Sequence, residues 1–306
     1  MARTGERTAD PRQTHDEHKR ASVREDARER LLSDLPVTES RVQLAGIETA
    51  VLEGGAGPTL VLLHGPGEYA AKWLRVIPDL VTTHRVVAPD LPAHGASESP
   101  DTGLEAERVL TWLDELIERT CSSPPALVGQ ILGGGIAARF ASRRSDRLAR
   151  LVLVDALGLS PFRPAPEFGQ ALAEFMTQPS EDTHDGLWRR CAFDLDRMRD
   201  GMGENWEWVK AYNLDRARTA SLRAGQHSLM EEFGMAAIPA EDLAQIAVST
   251  TLIWGRHDLA TDLRVAEAAS SRYGWPLHVI DDAADDPPLE QPEAFLRALR
   301  MALGTP

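Results

Sequence analysis

Short apolar runs separated by helical stretches constrain this chain more than any single motif does. Thr59–Leu63, Arg85–Ala88, Ala126–Val128, Leu151–Val154, Thr250–Trp254 and Leu277–Ile280 are short and rich in Val, Ile and Leu. They lack the polar–apolar alternation of a half-solvated strand, so both faces must be buried, as in a parallel sheet covered by helices. Arg41–Leu44 and Glu48–Leu52 read as an antiparallel pair before them. Helical patterns over 70–81, 104–120, 133–143, 262–273 and 292–302 fill the intervals. This order predicts an α/β fold, a mostly parallel, doubly wound sheet. One stretch breaks the alternation. Residues 158–245 contain no convincing strand but carry Phe162, Phe168, Phe175, Trp188, Phe193, Trp206, Trp208, Tyr212 and Phe233 at mostly helical spacings. They read as a helical cap inserted between core segments 39–157 and 246–306. Most of these aromatics are expected to pack within the cap, and some to line a pocket beneath it.

The first 38 residues differ in kind. They hold eight Arg/Lys and eight Asp/Glu with few apolar residues, so 1–20 is expected to be disordered. Val23, Ala27 and Leu31 suit a helix over 21–35, in a tail that packs loosely or joins copies of the chain into a homo-oligomer. No apolar leader or membrane-length run is present, and two cysteines make no disulfide framework. A cytoplasmic protein follows as the expectation. The net charge of −14 disfavours nucleic acid and anionic membranes as partners.

Residues 129–133 read Gly-Gln-Ile-Leu-Gly, the frame G-x-S-x-G with Ile131 in place of the serine. Around it stand "LVLLHGPG" at 60–67, "RVVAPDLPAHGAS" at 85–97, "LVGQILGGGIAARFA" at 127–141, "LVLVDALGL" at 151–159, "TLIWGRHD" at 251–258 and "EQPEAFLRAL" at 290–299. Each is weak alone. In this order and at these separations the chain resembles the α/β-hydrolase superfamily along 40–304. The resemblance implies a nucleophile at Ile131, a carboxylate at Asp258, and a histidine where Asp285 stands. An isoleucine has no proton or lone pair to offer, and loss of nucleophile or base in such a triad costs about 10⁶-fold in turnover. Pro66, after the early His-Gly pair, also lacks the N–H that often serves as an oxyanion donor, leaving Gly67 and Leu132 as candidates.

The remaining chemistry is expected from Asp258 and Asp285, which as close carboxylates would share a proton, with His64 as an outsider. Alternatively, Asp285 points to solvent within an acidic loop, and His64 and His94 only organise loops. Gly65, Tyr69, Gln130, Ile131 and Leu132 are the expected ligand-binding positions; Lys72 is expected at the surface. No metal or cofactor is implied. A β-branched residue at the elbow either bears a strained positive φ or signals a relaxed turn. The leading expectation is a non-hydrolytic enzyme acting on a small, largely apolar molecule by proton transfer, elimination, cyclisation or isomerisation. A ligand-binding pseudoenzyme is the alternative, and a hydrolase that activates water directly is the third.

Overall fold

The computed structural model describes residues 25–100 and 103–304. The disorder expected for 1–20 lies outside the described residues. Eight strands form one sheet in the order β1-β2-β4-β3-β5-β6-β7-β8. They are β1 (Thr38–Leu44), β2 (Ile47–Gly54), β3 (Thr59–Leu63), β4 (Arg85–Pro89), β5 (Ala126–Gln130), β6 (Arg150–Val154), β7 (Thr250–Gly255) and β8 (Leu277–Ile280). β1 and β2 pair antiparallel in register Leu44↔Ile47, β2 pairs antiparallel with β4, and the remaining pairs are parallel. Ala45 and Gly46, both at positive φ, make the two-residue turn that joins β1 to β2.

Both faces of the sheet are dry across β3 to β7, while β1 stays largely exposed. One is covered by the helices Ala106–Thr120, Leu132–Arg144 and Leu263–Tyr273, through residues such as Val109, Leu113, Ile136, Phe140 and Ala266. The other lies under Trp73, Ile77, Phe295 and Leu299. The helix expected over 70–81 appears as a 3₁₀ segment, Ala70–Arg75, and a short α-turn, Ile77–Leu80. Pro78 has no N–H to continue the ladder through that point.

Between β6 and β7 the described chain forms only helices and loops: Pro166–Thr177, Glu181–Cys191, Leu195–Met202, Asn205–Arg218 and Ala220–Leu229, then a π-turn at Met230–Gly234 and a short helix, Ala240–Leu243. Trp188 and Trp206 meet edge to face at 5.2 Å, with buried His184 against both. A helix over 25–33 lies on the seam between this cap and the sheet. It packs closely there, contrary to the loose tail expected: Ala27 and Leu31 are buried, and Arg28 pairs with buried Asp90 at 2.8 Å.

Candidate active site

The elbow between β5 and the helix Leu132–Arg144 keeps its tight turn. Ile131 stands at its apex with φ 45° and ψ −105°. Such a conformation costs a β-branched residue about 1–3 kcal/mol. The surroundings hold it there. The Ile131 N–H donates to Val154 O at 3.0 Å, and Ile131 O accepts from Leu157 N at 3.0 Å and Gly135 N at 3.1 Å. Close backbone approach needs the glycines. A β-carbon on Gly129 would meet Gly133 O at 2.3 Å, and one on Gly133 would meet Leu63 O at 2.5 Å. The strain is thus borne, not relaxed.

Beneath the elbow, His64 is fully buried and occupied at both ring nitrogens. Nδ1 donates to Gly65 O at 2.8 Å and Nε2 accepts from Leu91 N at 3.0 Å. Burial pushes it down to about 3, so it is neutral and its ring has no free nitrogen for a substrate. His94 lies beside it, bonded to Pro92 O and likewise driven to about 3 by burial.

A cleft of about 420 Å³ opens between cap and sheet, walled by Ile131, Leu157, Phe162, Phe168, Leu172, Phe175 and Trp188. Of the aromatics in the cap stretch, Phe162, Phe168, Phe175 and Trp188 therefore line the cleft, whereas Tyr212 and Phe233 pack elsewhere. Polar groups enter from the core loops at Glu68 and Asp286, at the far wall through Asp285 and Cys191, and from the cap through Asn213, Arg216, Arg223, Gln226 and His227.

Glu68 lies next to the elbow. Its Oε2 accepts from Gly65 N at 2.8 Å and its Oε1 from Lys72 Nζ at 3.0 Å. Lys72, expected at the surface, is buried because its ammonium bridges Glu68 and Asp286, the latter at 3.1 Å. Burial raises the Glu68 carboxyl, partly offset by Lys72. Arg216 is buried and lies against Gly67 and the Gln226 side chain. Its Nε has no hydrogen-bond partner, and no carboxylate pairs with it among the described residues.

Carboxylates crowd behind the far wall. Asp258 Oδ1 accepts from the Ala260 and Thr261 N–H groups at 2.7 and 2.9 Å, and Oδ2 accepts from Thr261 Oγ1. Burial still pushes Asp258 up to about 7. Asp285 is buried, not solvated, and rises well above the usual carboxylate range through burial and then the charges of Asp258 and Asp286. Asp155, at the end of β6, is raised by burial and then by Asp258. Its Oδ1 accepts from Gly255 N at 2.9 Å, while Oδ2 has no donor. Groups this close cannot all ionise, so the corner retains protons.

Among the expected positions, Ile131 and Asp285 face the cleft, and Asp258 joins Asp285 behind it. Gln130 turns away: its amide donates to Asp285 O at 3.0 Å and ties the elbow to the loop after β8. Tyr69 packs under Arg28 and Tyr212, outside the cleft. Gly65, Leu132 and His64 sit below its floor, the N–H of Leu132 opening the elbow helix. Sequence reasoning missed Arg216, which no motif marks, and Asp155, whose place at the end of an apolar strand was a usable signal.

The alpha/beta hydrolase fold family matches residues 58–292, and the chain belongs to that family. It is 38% identical over 122 residues to a 2-hydroxymuconate semialdehyde hydrolase of Pseudomonas sp. strain CF600, covering 38% of this chain and 42% of that protein. The chain thus spans less than half the length of that curated relative. Over a longer stretch, 82% of this chain and 97% of the relative, it is 26% identical to a pimeloyl-[acyl-carrier protein] methyl ester esterase of Aeromonas hydrophila. The fold is similar to that of a 2-hydroxy-6-oxo-6-phenylhexa-2,4-dienoate hydrolase from Rhodococcus sp. strain RHA1, with a TM-score of 0.77, 24% identity, and 88% and 99% of the two chains covered.

These relatives correct the functional expectation. They are named hydrolases of carbonyl compounds and esters, which overturns the non-hydrolytic reading and gives no support to a pseudoenzyme. The cleft keeps the helix N-terminus at the elbow. No helix among the described residues is long and apolar enough to cross a membrane.

Proposed function

We propose that this protein is a hydrolase of a small molecule with an apolar body and an acidic end, cleaved at a carbonyl held over the elbow. The observation that carries this reading is Arg216. A buried guanidinium with no carboxylate in ion-pair contact among the described residues, Glu68 acting on it only from farther off, is costly unless an anion joins it. Its fork suits a carboxylate, and the apolar walls suit the rest of the molecule. The names of the relatives support the reaction class: a semialdehyde hydrolase and a methyl ester esterase both act at carbonyl carbon. The N–H of Leu132, first in its helix and without an intrahelical acceptor, is the group suited to receive the developing oxyanion. A cytoplasmic setting is part of the proposal, supported by two free thiols.

The test compares two esters with one leaving group, p-nitrophenyl butyrate and the p-nitrophenyl monoester of glutaric acid. Arg216→Met is expected to raise KM for the acidic ester more than about tenfold, the value of one charge-assisted contact, and to spare the neutral one. Equal effects on both esters would remove the anion subsite. Absence of hydrolysis of either ester, and of a C–C dienoate substrate, would remove the hydrolase reading.

A further inference from the structure

We infer that Glu68 is the general base of this site, drawing a proton from a water molecule that attacks the substrate carbonyl beside Ile131; this rests on the hydrolase reading above. The placement is direct. An ideal β-carbon on Gly65 would stand 2.8 Å from Glu68 Oε2 and 3.4 Å from Ile131 Cδ1, so carboxylate and isoleucine share the space above the Gly65 backbone. Glu68 reaches the cleft wall, while its oxygens are fixed from behind by Gly65 N and Lys72 Nζ. Lys72 is itself locked by Asp286. A carboxylate so held does not need to reorganise before it takes a proton.

The charged groups facing Glu68 come from three elements. Lys72 lies one turn along its own segment, Asp286 comes from the loop after β8, and Arg216 from the cap. The carboxyl stands above the usual range because burial and Asp286 outweigh Lys72, which makes it a stronger base than a solvated glutamate. The other groups in reach suit the task less. Burial drives the Cys191 thiol well up, away from thiolate, and His64 has no free ring nitrogen.

The reaction balances without a further reagent. The water oxygen bonds to the carbonyl carbon as one water proton moves to Glu68. The carbonyl π pair shifts to oxygen, opposite the Leu132 N–H. Collapse breaks the bond from carbonyl carbon to the leaving oxygen, and the proton on Glu68 passes to that oxygen. Acid and alcohol depart, and the carboxylate is restored.

Full-length Glu68→Gln and Glu68→Asp proteins, checked for unchanged melting, test the assignment on the two p-nitrophenyl esters. Glu68→Gln is expected to lower kcat by about 10²–10⁴-fold with KM unchanged, and to abolish the acid limb of the pH–rate profile. Glu68→Asp is expected to retain part of the rate and that limb. Hydrolysis in H₂¹⁸O is expected to label the acid product with no acyl adduct on the protein in quenched mass spectra. Wild-type kcat in Glu68→Gln, or an acyl adduct on Cys191 or Glu68, would overturn the base role and leave the hydrolase reading standing. An inactive wild type would overturn both.

Discussion

The elbow and the acidic corner behind Asp285 lie on either side of one cleft, yet they are held in place by different forces. The elbow is fixed by backbone. Ile131 stays at φ 45° because Val154, Leu157 and the glycines on either side leave the chain nowhere else to go. Its side chain can change without loss of the turn, which is why an isoleucine sits in an otherwise intact frame. The corner is fixed by charge. Asp155, Asp258, Asp285, Asp286 and Glu290 are buried together, with Lys72 as the ammonium that binds directly into the group. One region tolerates a change of chemistry and resists a change of shape; the other does the reverse.

The largest expected effect follows from removing that ammonium. Lys72→Met keeps the aliphatic stem but leaves Asp286 and Glu68 without their counter-charge in a buried site. The expected loss is about 3–5 kcal/mol, as for other broken buried pairs, read from the midpoint of urea unfolding. A loss under about 1 kcal/mol, the scale of a surface pair, would mean that charge does not organise the corner. Next in size is Gly129→Ala, which puts a methyl group 2.3 Å from Gly133 O. Backbone must shift, at an expected cost of about 2–3 kcal/mol. Lys72→Met should leave the elbow in place, and Gly129→Ala should open it. Lys72 also holds Glu68, so turnover is expected to fall in both variants, and the regions are separated by the size of the two stability losses.

These two regions also show what could be read from residue order. Six of the eight strands were legible because buried parallel strands need unbroken apolar runs, β1 and β2 as an antiparallel pair before them, and the elbow because its glycines are forced by close packing. Asp258 and Asp285 were legible through neighbouring motif residues. Glu68 was visible only as a residue after the early loop; its role depends on Lys72 folding inward to meet Asp286 more than two hundred positions away. Arg216 sits in a cap helix where charged residues are common, and only the fold reveals that no acid accompanies it. Reaction class was misread for a similar reason. A single side chain in the elbow frame was weighed more heavily than the groups that fold around it.

The two regions carry opposite proton linkages, which gives the third prediction. His64 and His94 fall to about 3 by burial, so the unfolded chain binds more protons than the folded one below about 6.5, and stability from them rises with pH up to that point. The corner works the other way. Asp258 and Glu290, raised to about 7 by burial, and Asp155 and Asp285, raised well above the usual carboxylate range, hold protons in the folded state that the unfolded state has released. Their contribution is complete below the ordinary carboxylate range and is lost as pH rises through the folded values. The effects oppose each other between about 4 and 6.5. Above about 6.5 the histidines are silent, so Tm is expected to fall as pH rises toward 7 through the folded values of Asp258 and Glu290. Asp285→Asn, which cannot ionise, should flatten that fall and steepen the rise between about 4 and 6.5, where its proton opposes the histidines. An unchanged slope would show that the corner protons lie elsewhere.

The smallest expected effect is at the apex itself. Ile131→Gly removes a partly buried side chain, which in an ordinary core would be strongly destabilising. Here three terms meet. Relief of the positive φ returns about 1–3 kcal/mol. Lost apolar burial removes up to about 1.5–3 kcal/mol for a fully buried side chain, and less for one facing an open cleft. Added backbone freedom in the unfolded chain takes about 0.5–1 kcal/mol more. With burial near half its full value the mid-range terms cancel to within about 1 kcal/mol of zero, so the melting temperature should barely move. A loss of more than about 2 kcal/mol would show that the isoleucine is a packing residue that the turn accommodates without strain. A null result would instead show that the elbow holds its shape against its own side chain, as its backbone contacts require.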